Sequence, residues 1–356
     1  MDSNNYCVIM AGGIGSRFWP ISRIERPKQF LDILGTGKTF IRSTYERFAN
    51  FIPRENFLVV TNEQYRALVA EQIPELAPHQ ILGEPLGRNT APCIAYAAFH
   101  LRAMNPEATM IVAPSDHLIL NEAEFVTAMK ECVAFVRSHH NIMTIGIEPT
   151  RPDTGYGYIQ IAERNGIVPV KTFTEKPNEE LAKAFVASGE FFWNSGIFIW
   201  ELPTILEAFR NYLPEMYQLF ESEADRFNTP DEVAAIARIY PECRGISIDY
   251  GVIEKAENVY VRCSSFGWSD VGTWGSLYQY LGKDDKGNAA PAGAVLNDTA
   301  NCLVKAPEGK LVVIDGLQDC IVVDTPDVLM ICPKNKEQEI KQMTNYLKFN
   351  GGEKFL

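Results

Sequence analysis

The sequence predicts an α/β protein with a Rossmann-like mixed, mainly parallel sheet flanked by helices, followed by a small C-terminal β domain. Three observations predict it. Over residues 6–147, short β-rich runs alternate with longer segments whose apolar residues recur at helical spacing. The first runs are apolar on both faces, as strands covered by helices on both sides must be. After residue 281 the rhythm changes to brief β-rich runs separated by turns containing Gly, Asn, Asp or Pro.

The strands of the first part are expected at 6–10, 56–61, 79–84, 108–113 and 141–147, and the helices at 39–51, 63–73, 90–104 and 122–137. In a sheet built this way, ligands bind beyond the C-terminal ends of the strands. From residue 155 the pattern is less regular. Strand-like segments at 156–162, 168–174, 196–200 and 258–264 interrupt helical ones at 179–188, 203–212 and 229–240, which reads as a substrate-binding half of the same domain. Residues 282–288 are polar and glycine-bearing and mark a boundary. The domains are therefore expected at 1–281 and 288–356. Beyond the boundary, β-rich runs at 294–296, 302–304, 311–314, 320–323 and 328–331 fit small stacked coils, as in a left-handed β-helix, or a small β-sandwich. A helix is expected at 336–347.

Composition narrows the function. Hydrophobic residues make up 46% and charged residues 22% of the 356, the mix of an ordinary globular protein. A formal charge of −12 repels polyanions, and no basic patch offsets it, so nucleic acid is not an expected partner. No apolar stretch is long enough to cross a membrane and the N-terminus lacks signal-peptide features. The eight cysteines are scattered without a Cys-x-x-Cys, which suits reduced thiols in the cytoplasm.

The chemistry is concentrated after the first strand. Ala11-Gly12-Gly13-Ile14-Gly15-Ser16-Arg17 leaves backbone N–H groups uncovered for a phosphate, and Arg17 and Lys28 add positive charge. A dinucleotide fingerprint would need a third glycine where Phe18 stands. A P-loop ending in Gly37-Lys38-Thr39 would need its first glycine at Asp32. Neither motif fits.

The run A-G-G-x-G-S-R-x-W-P-x-S-R-x-x-x-P-K-Q-F resembles the sugar-phosphate nucleotidyltransferases, most closely the mannose-1-phosphate guanylyltransferases. The resemblance continues in order through Glu84-Pro85-x-Gly87-Arg88-Asn89-Thr90-Ala91-Pro92, Pro114-Ser115-Asp116-His117, Gly155–Ile159, Phe173–Pro177, Trp193–Gly196 and Trp268–Trp274. It implies transfer of GMP from GTP to mannose 1-phosphate with release of diphosphate, assisted by Mg2+. It further implies that Ala11, Gly12, Gly13, Gly15, Ser16, Arg17 and Lys28 hold the triphosphate, with Glu84, Asn89 and Thr90 at the base. Asp116 and Asp270 would hold the metal, and Gly157, Glu175, Lys176, Asn194 and Asp249 the sugar phosphate, with Arg17, Lys28 and Lys176 as the catalytic cations. Taken alone, Asn89 or Thr90 also suits a helix cap, and Asp249 the cap of a following helix.

Alternatives stay open at this level: another hexose 1-phosphate as substrate, or a non-catalytic homologue that senses nucleotide sugars. A glycosyltransferase is disfavoured because no Asp-x-Asp is present, and a serine hydrolase because no Gly-x-Ser-x-Gly is. Longer members of the family carry a fused isomerase domain that needs metal-binding histidines. His139 and His140 are the last histidines in this sequence, so that second activity is not expected. The region after residue 281 is assigned to packing or subunit contact, with a homodimer the assembly it allows.

Overall fold

The computed structural model describes residues 4–164 and 166–356. Nine strands form one sheet: β1 Asn5–Ala11, β2 Phe57–Asn62, β3 Ile81–Glu84, β4 Thr109–Pro114, β5 Ile142–Ile147, β6 Gly157–Ile161, β7 Ile167–Glu175, β8 Phe191–Glu201 and β9 Val259–Ser264. Around them run α1 Phe40–Ala49, α2 Arg66–Gln72, α3 Thr90–Met104, α4 Glu122–His139, α5 Glu179–Ser188, α6 Leu202–Tyr212, α7 Pro214–Glu221 and α8 Glu232–Ile239. Two further helices, α9 Trp274–Tyr278 and α10 Ile340–Phe349, accompany short strands β10 Val295–Asn297, β11 Leu303–Lys305, β12 Val313–Asp315, β13 Cys320–Asp324 and β14 Leu329–Pro333. No helix among the described residues is long and apolar enough to cross a membrane.

The chain divides into two compact units. The first unit holds the residues up to Gly12 with Arg42–Ser115 and Ile119–Trp268; the second holds Gly13–Ile41, Asp116–Leu118 and Ser269–Leu356.

In the first unit the strand order is β3-β2-β1-β4-β8-β5-β9-β7-β6. Strands β1 to β4 pair in parallel, as the helix-strand alternation requires, and β5 pairs in parallel with β9. The sheet becomes mixed because β8 enters antiparallel between β4 and β5. The sequence pattern predicts this strand only over 196–200. The polar Asn194-Ser195-Gly196 interrupts its apolar pattern, and a β-bulge at Thr144/Gly146 of the neighbouring β5 absorbs the irregularity. Helix α3 is buried almost all round from Ala91 to Leu101, so it forms a core element rather than a surface amphipathic helix. It packs with Trp200, Phe198 and Phe209 in the main core. Each such fully buried large side chain contributes roughly 1.5–3 kcal/mol relative to exposure.

The second unit has its own core, made of Phe18, Trp19, Ile33, Phe40, Val271, Trp274 and Leu277 with Leu303, Ile321, Val323, Met330, Cys332 and Ile340. The glycine loop has little regular structure, only single 3-10 turns at Ser16–Phe18 and Lys28–Phe30, so it depends on this packing. Arg23 forms a bidentate pair with Asp327, and the Trp19 indole N–H donates to the Phe355 carbonyl at 2.7 Å. Strands β10 and β11 stack on β12 and β13 as successive coils with an offset of 18 residues, and β14 closes antiparallel on β13. Val295 pairs with Val313, Ala300 bridges Gln318, and Leu303 pairs with Ile321. Asn297 Nδ2 donates to Asp315 Oδ1 at 2.8 Å across the same offset of 18 residues.

Candidate active site

The sequence-predicted residues gather into a cationic-acidic cluster in the second unit and two polar clusters in the first. In the second unit the glycine loop wraps around Lys28. Gly15 has φ +66°, and a Cβ placed on it would stand 2.5 Å from Lys28 Cβ, so only glycine lets the loop close over that side chain. The loop is fastened by the Phe18 N–H to the Gly15 carbonyl at 2.9 Å and by Ser22 Oγ to the Ile14 carbonyl at 2.6 Å. Lys28 is 3% exposed, and its ammonium donates to Asp116 Oδ2 at 2.9 Å, to the Asp116 carbonyl at 3.1 Å and to the Asp270 carbonyl at 2.6 Å. One buried cation therefore ties together both predicted metal aspartates.

Burial works against charge on Asp116, yet the neighbouring Lys28 and His117 more than offset it and hold the carboxyl below the usual carboxylate range. Asp270 is fixed by its own turn. Its Oδ1 accepts the Gly272 N–H at 3.0 Å, while Val271 between them is buried at φ +42°, a strained conformation for a β-branched residue. Arg17 lies on the 3-10 turn of the loop and is exposed, as are Gly12 and Gly13.

In the first unit, Ala11 ends β1 fully buried, its carbonyl accepting from Thr61 Oγ1 at 2.8 Å. Glu84 ends β3 and is also buried. The Tyr240 hydroxyl donates to its Oε1, and a Cβ on Gly12 would come within 3.3 Å of its Oε2. Burial raises the Glu84 carboxyl to about 7, partly opposed by the Tyr240 hydrogen bond. Asn89, exposed at φ +69°, caps α3 by accepting the Thr90 N–H at 2.8 Å. Thr90 Oγ1 accepts the Ile248 N–H at 2.9 Å, so both residues hold local structure in addition to any base contact.

The five residues expected at the sugar phosphate also come together. Gly157 faces Glu175 in the β6–β7 register. A Cβ on Gly157 would lie 2.5 Å from Glu175 Oε2 and 3.4 Å from Asn194 Cβ, so glycine makes room for both. Lys176, at φ +48°, pairs with Glu175, and its N–H reaches the Tyr156 carbonyl at 3.2 Å. Asn194 Oδ1 accepts from Thr144 Oγ1 at 3.0 Å while its Nδ2 donates to Asp249 Oδ1 at 2.9 Å. Burial first, and the Glu175 carboxylate second, raise Asp249 to about 6. Tyr240 and Thr144 carry no motif signal of their own; only folding brings them beside Glu84 and Asn194.

A Nucleotidyl transferase family model matches residues 6–287, and a MannoseP isomerase/GMP-like beta-helix domain model matches 293–347. The chain belongs to the nucleotidyl transferase family. It is 38% identical to the Escherichia coli (strain K12) mannose-1-phosphate guanylyltransferase over 365 residues, covering 98% of this chain and 74% of that protein. It is 39% identical to the Pseudomonas fluorescens alginate biosynthesis protein AlgA over 352 residues, covering 97% and 72%. Among solved structures, the crystal structure described as mannose-1-phosphate geranyltransferase from Thermus thermophilus superposes with a TM-score of 0.86 at 30% identity, covering 97% of this chain and 99% of that one. This nucleotidyltransferase thus combines a Rossmann-like α/β domain with a β-helix-like C-terminal segment, the fold class the sequence predicts.

Proposed function

We propose that this nucleotidyltransferase transfers GMP from GTP to α-D-mannose 1-phosphate, forming GDP-mannose and diphosphate. The observation that carries the reading is Lys28 bound at once to Asp116 and Asp270 beneath a glycine loop; the names of the relatives support the choice of base and sugar. The free thiols of all eight cysteines suit action in the cytoplasm.

The sugar phosphate is already an oxyanion, so no general base is required. One of its oxygens forms the bond to the α-phosphorus of GTP as the bond from that phosphorus to the β-phosphate oxygen breaks. The electron pair leaves with diphosphate. The difficulty is repulsion between two anions, and its solution is positioning and fixed positive charge. Backbone N–H groups of Gly12–Gly15 and the exposed Arg17 would hold the triphosphate. Lys28 sets the spacing of the aspartates and supplies a buried cation. Glu175 and Asn194 would take sugar hydroxyls, with Asp249 orienting the asparagine, and Lys176 would take the sugar phosphate.

The donor set of Asp116 and Asp270 suits a hard divalent cation that takes its remaining ligands from phosphate and water. Among the described residues, no group of three or more His, Cys, Asp or Glu is placed to hold a metal ion. Bound there, Mg2+ would neutralise charge on the triphosphate and its leaving group.

The test is a panel of four nucleoside triphosphates against several hexose 1-phosphates, scored by diphosphate release with and without magnesium. GTP with mannose 1-phosphate and magnesium should give the highest kcat/KM. Equal use of GTP, ATP and UTP would remove the base assignment, and a better hexose would remove the sugar assignment.

A further inference from the structure

We propose that Tyr240 is a positioning residue for base selection: its hydroxyl holds one oxygen of Glu84 and leaves the other turned toward Gly12, as an acceptor for a nucleobase N–H. The inference rests on the assignment of Glu84 to the base and adds the residue that orients it.

Glu84 is 5% exposed at the end of an edge strand, where an ionised carboxylate is costly unless hydrogen-bonded. Tyr240 supplies one donor to Oε1. Oε2 stands on the other side, within 3.3 Å of where a Gly12 Cβ would be. Guanine offers adjacent N–H donors on its Watson–Crick edge, whereas adenine offers an acceptor at the ring position. Opposite the ring nitrogen, a carboxylate oxygen fixed by Tyr240 accepts the guanine N–H but meets a lone pair on adenine, so it favours guanine.

The phenol itself is held at both ends of its helix. Tyr240 directly follows α8, is fully buried, and packs edge-on against Phe220 at 6.4 Å between ring centroids. Glu232, in the first turn of α8, accepts from His100 Nδ1 at 2.8 Å and from the Asn228 N–H at 2.6 Å, and from the Tyr96 hydroxyl. His100 and Tyr96 both lie on α3, which begins six residues after Glu84 in the chain at Thr90. Acid and phenol are thus both referenced to one buried helix, and neither can shift without disturbing it.

Electrostatics give the inference a readout. The titratable groups facing Glu84 are Tyr240 and the Cys93 thiol of α3, and burial pushes both upward, so both stay neutral near pH 7. Glu84 is then the group of this cluster that titrates near 7. Because the phenol stabilises the carboxylate, removing it lets burial push the carboxyl higher still.

The experiment measures kcat and KM for GTP and for ATP between about pH 5.5 and 8.5 in the full-length parent, Tyr240→Phe and Glu84→Gln. In the parent, kcat/KM for GTP should fall below an inflection near 7. In Tyr240→Phe the inflection should move to higher pH, KM for GTP at neutral pH should rise about tenfold, and KM for the sugar phosphate should stay unchanged. Glu84→Gln should lose the inflection. A parent that accepts ATP as readily as GTP would remove the base assignment and this inference with it. A parent that prefers GTP, with the same inflection and preference in a folded Tyr240→Phe, would overturn the role of Tyr240 alone.

Discussion

The two units fix their site residues by different means. In the first, the backbone ladder does most of the positioning: Gly157 lies opposite Glu175 and Gly146 opposite Asn194, so strand register decides which side chains meet. In the second, Lys28, Asp116 and Asp270 sit on loops and single turns, joined by the three hydrogen bonds of one ammonium and backed by an aromatic core. A ladder spreads its load over many equivalent bonds. A stapled loop concentrates it in a few side chains, so single substitutions there should matter more.

The strongest test of that difference is Trp274→Ala. Its indole is fully buried, 5.0 Å from the Phe18 ring between centroids, and its loss should lower stability by about 3–5 kcal/mol in urea denaturation. Stability close to the parent would mean the loop is held by something other than this core. Next in size, Lys28→Ala should reduce turnover about a hundredfold or more, because two aspartates lose the cation that joins them. A loss of only a few-fold would place Lys28 outside the chemistry.

The first unit should answer differently. Asn194→Ala removes one side chain from a ladder-fixed pocket and should raise KM for the sugar phosphate about tenfold with little change in KM for GTP. Equal changes in both constants would deny that the sugar pocket is separate. The smallest effect is the pH response of Asp249. Its native value of about 6 lies above the ordinary value of about 3.9, so between those limits the folded state binds more protons than the unfolded one. Stability should therefore fall as pH rises through that window, and Asp249→Asn should flatten the fall in denaturation midpoints. An unchanged slope would assign it to another group.

What was legible in the sequence follows the same contrast. Strand and helix periodicity placed β1 to β4 and α3 within a residue or two, because local pattern decides them. The glycine-then-cation order exposed Gly15 and Lys28, since a left-handed turn and a buried charge demand particular residue types. The Tyr240–Glu84 contact was not legible, because its partners are 156 residues apart and each looks like ordinary core or strand end alone. Nor was the sharing of one core by the glycine loop and the C-terminal strands. The Trp274 indole reaches the Trp19 carbonyl across 255 residues, and no local pattern signals such a pairing.

The 18-residue offset of the C-terminal coils constrains how this gene can change length. Losing or gaining one codon between residues 305 and 313 would slide Val313 past Val295 and Ile321 past Leu303, exchanging the inward and outward side chains of β12 and β13. Insertion or removal of a complete coil would preserve the match. Length variation among descendants of this protein should therefore come in steps of one turn, or be confined to the tips where the chain reverses.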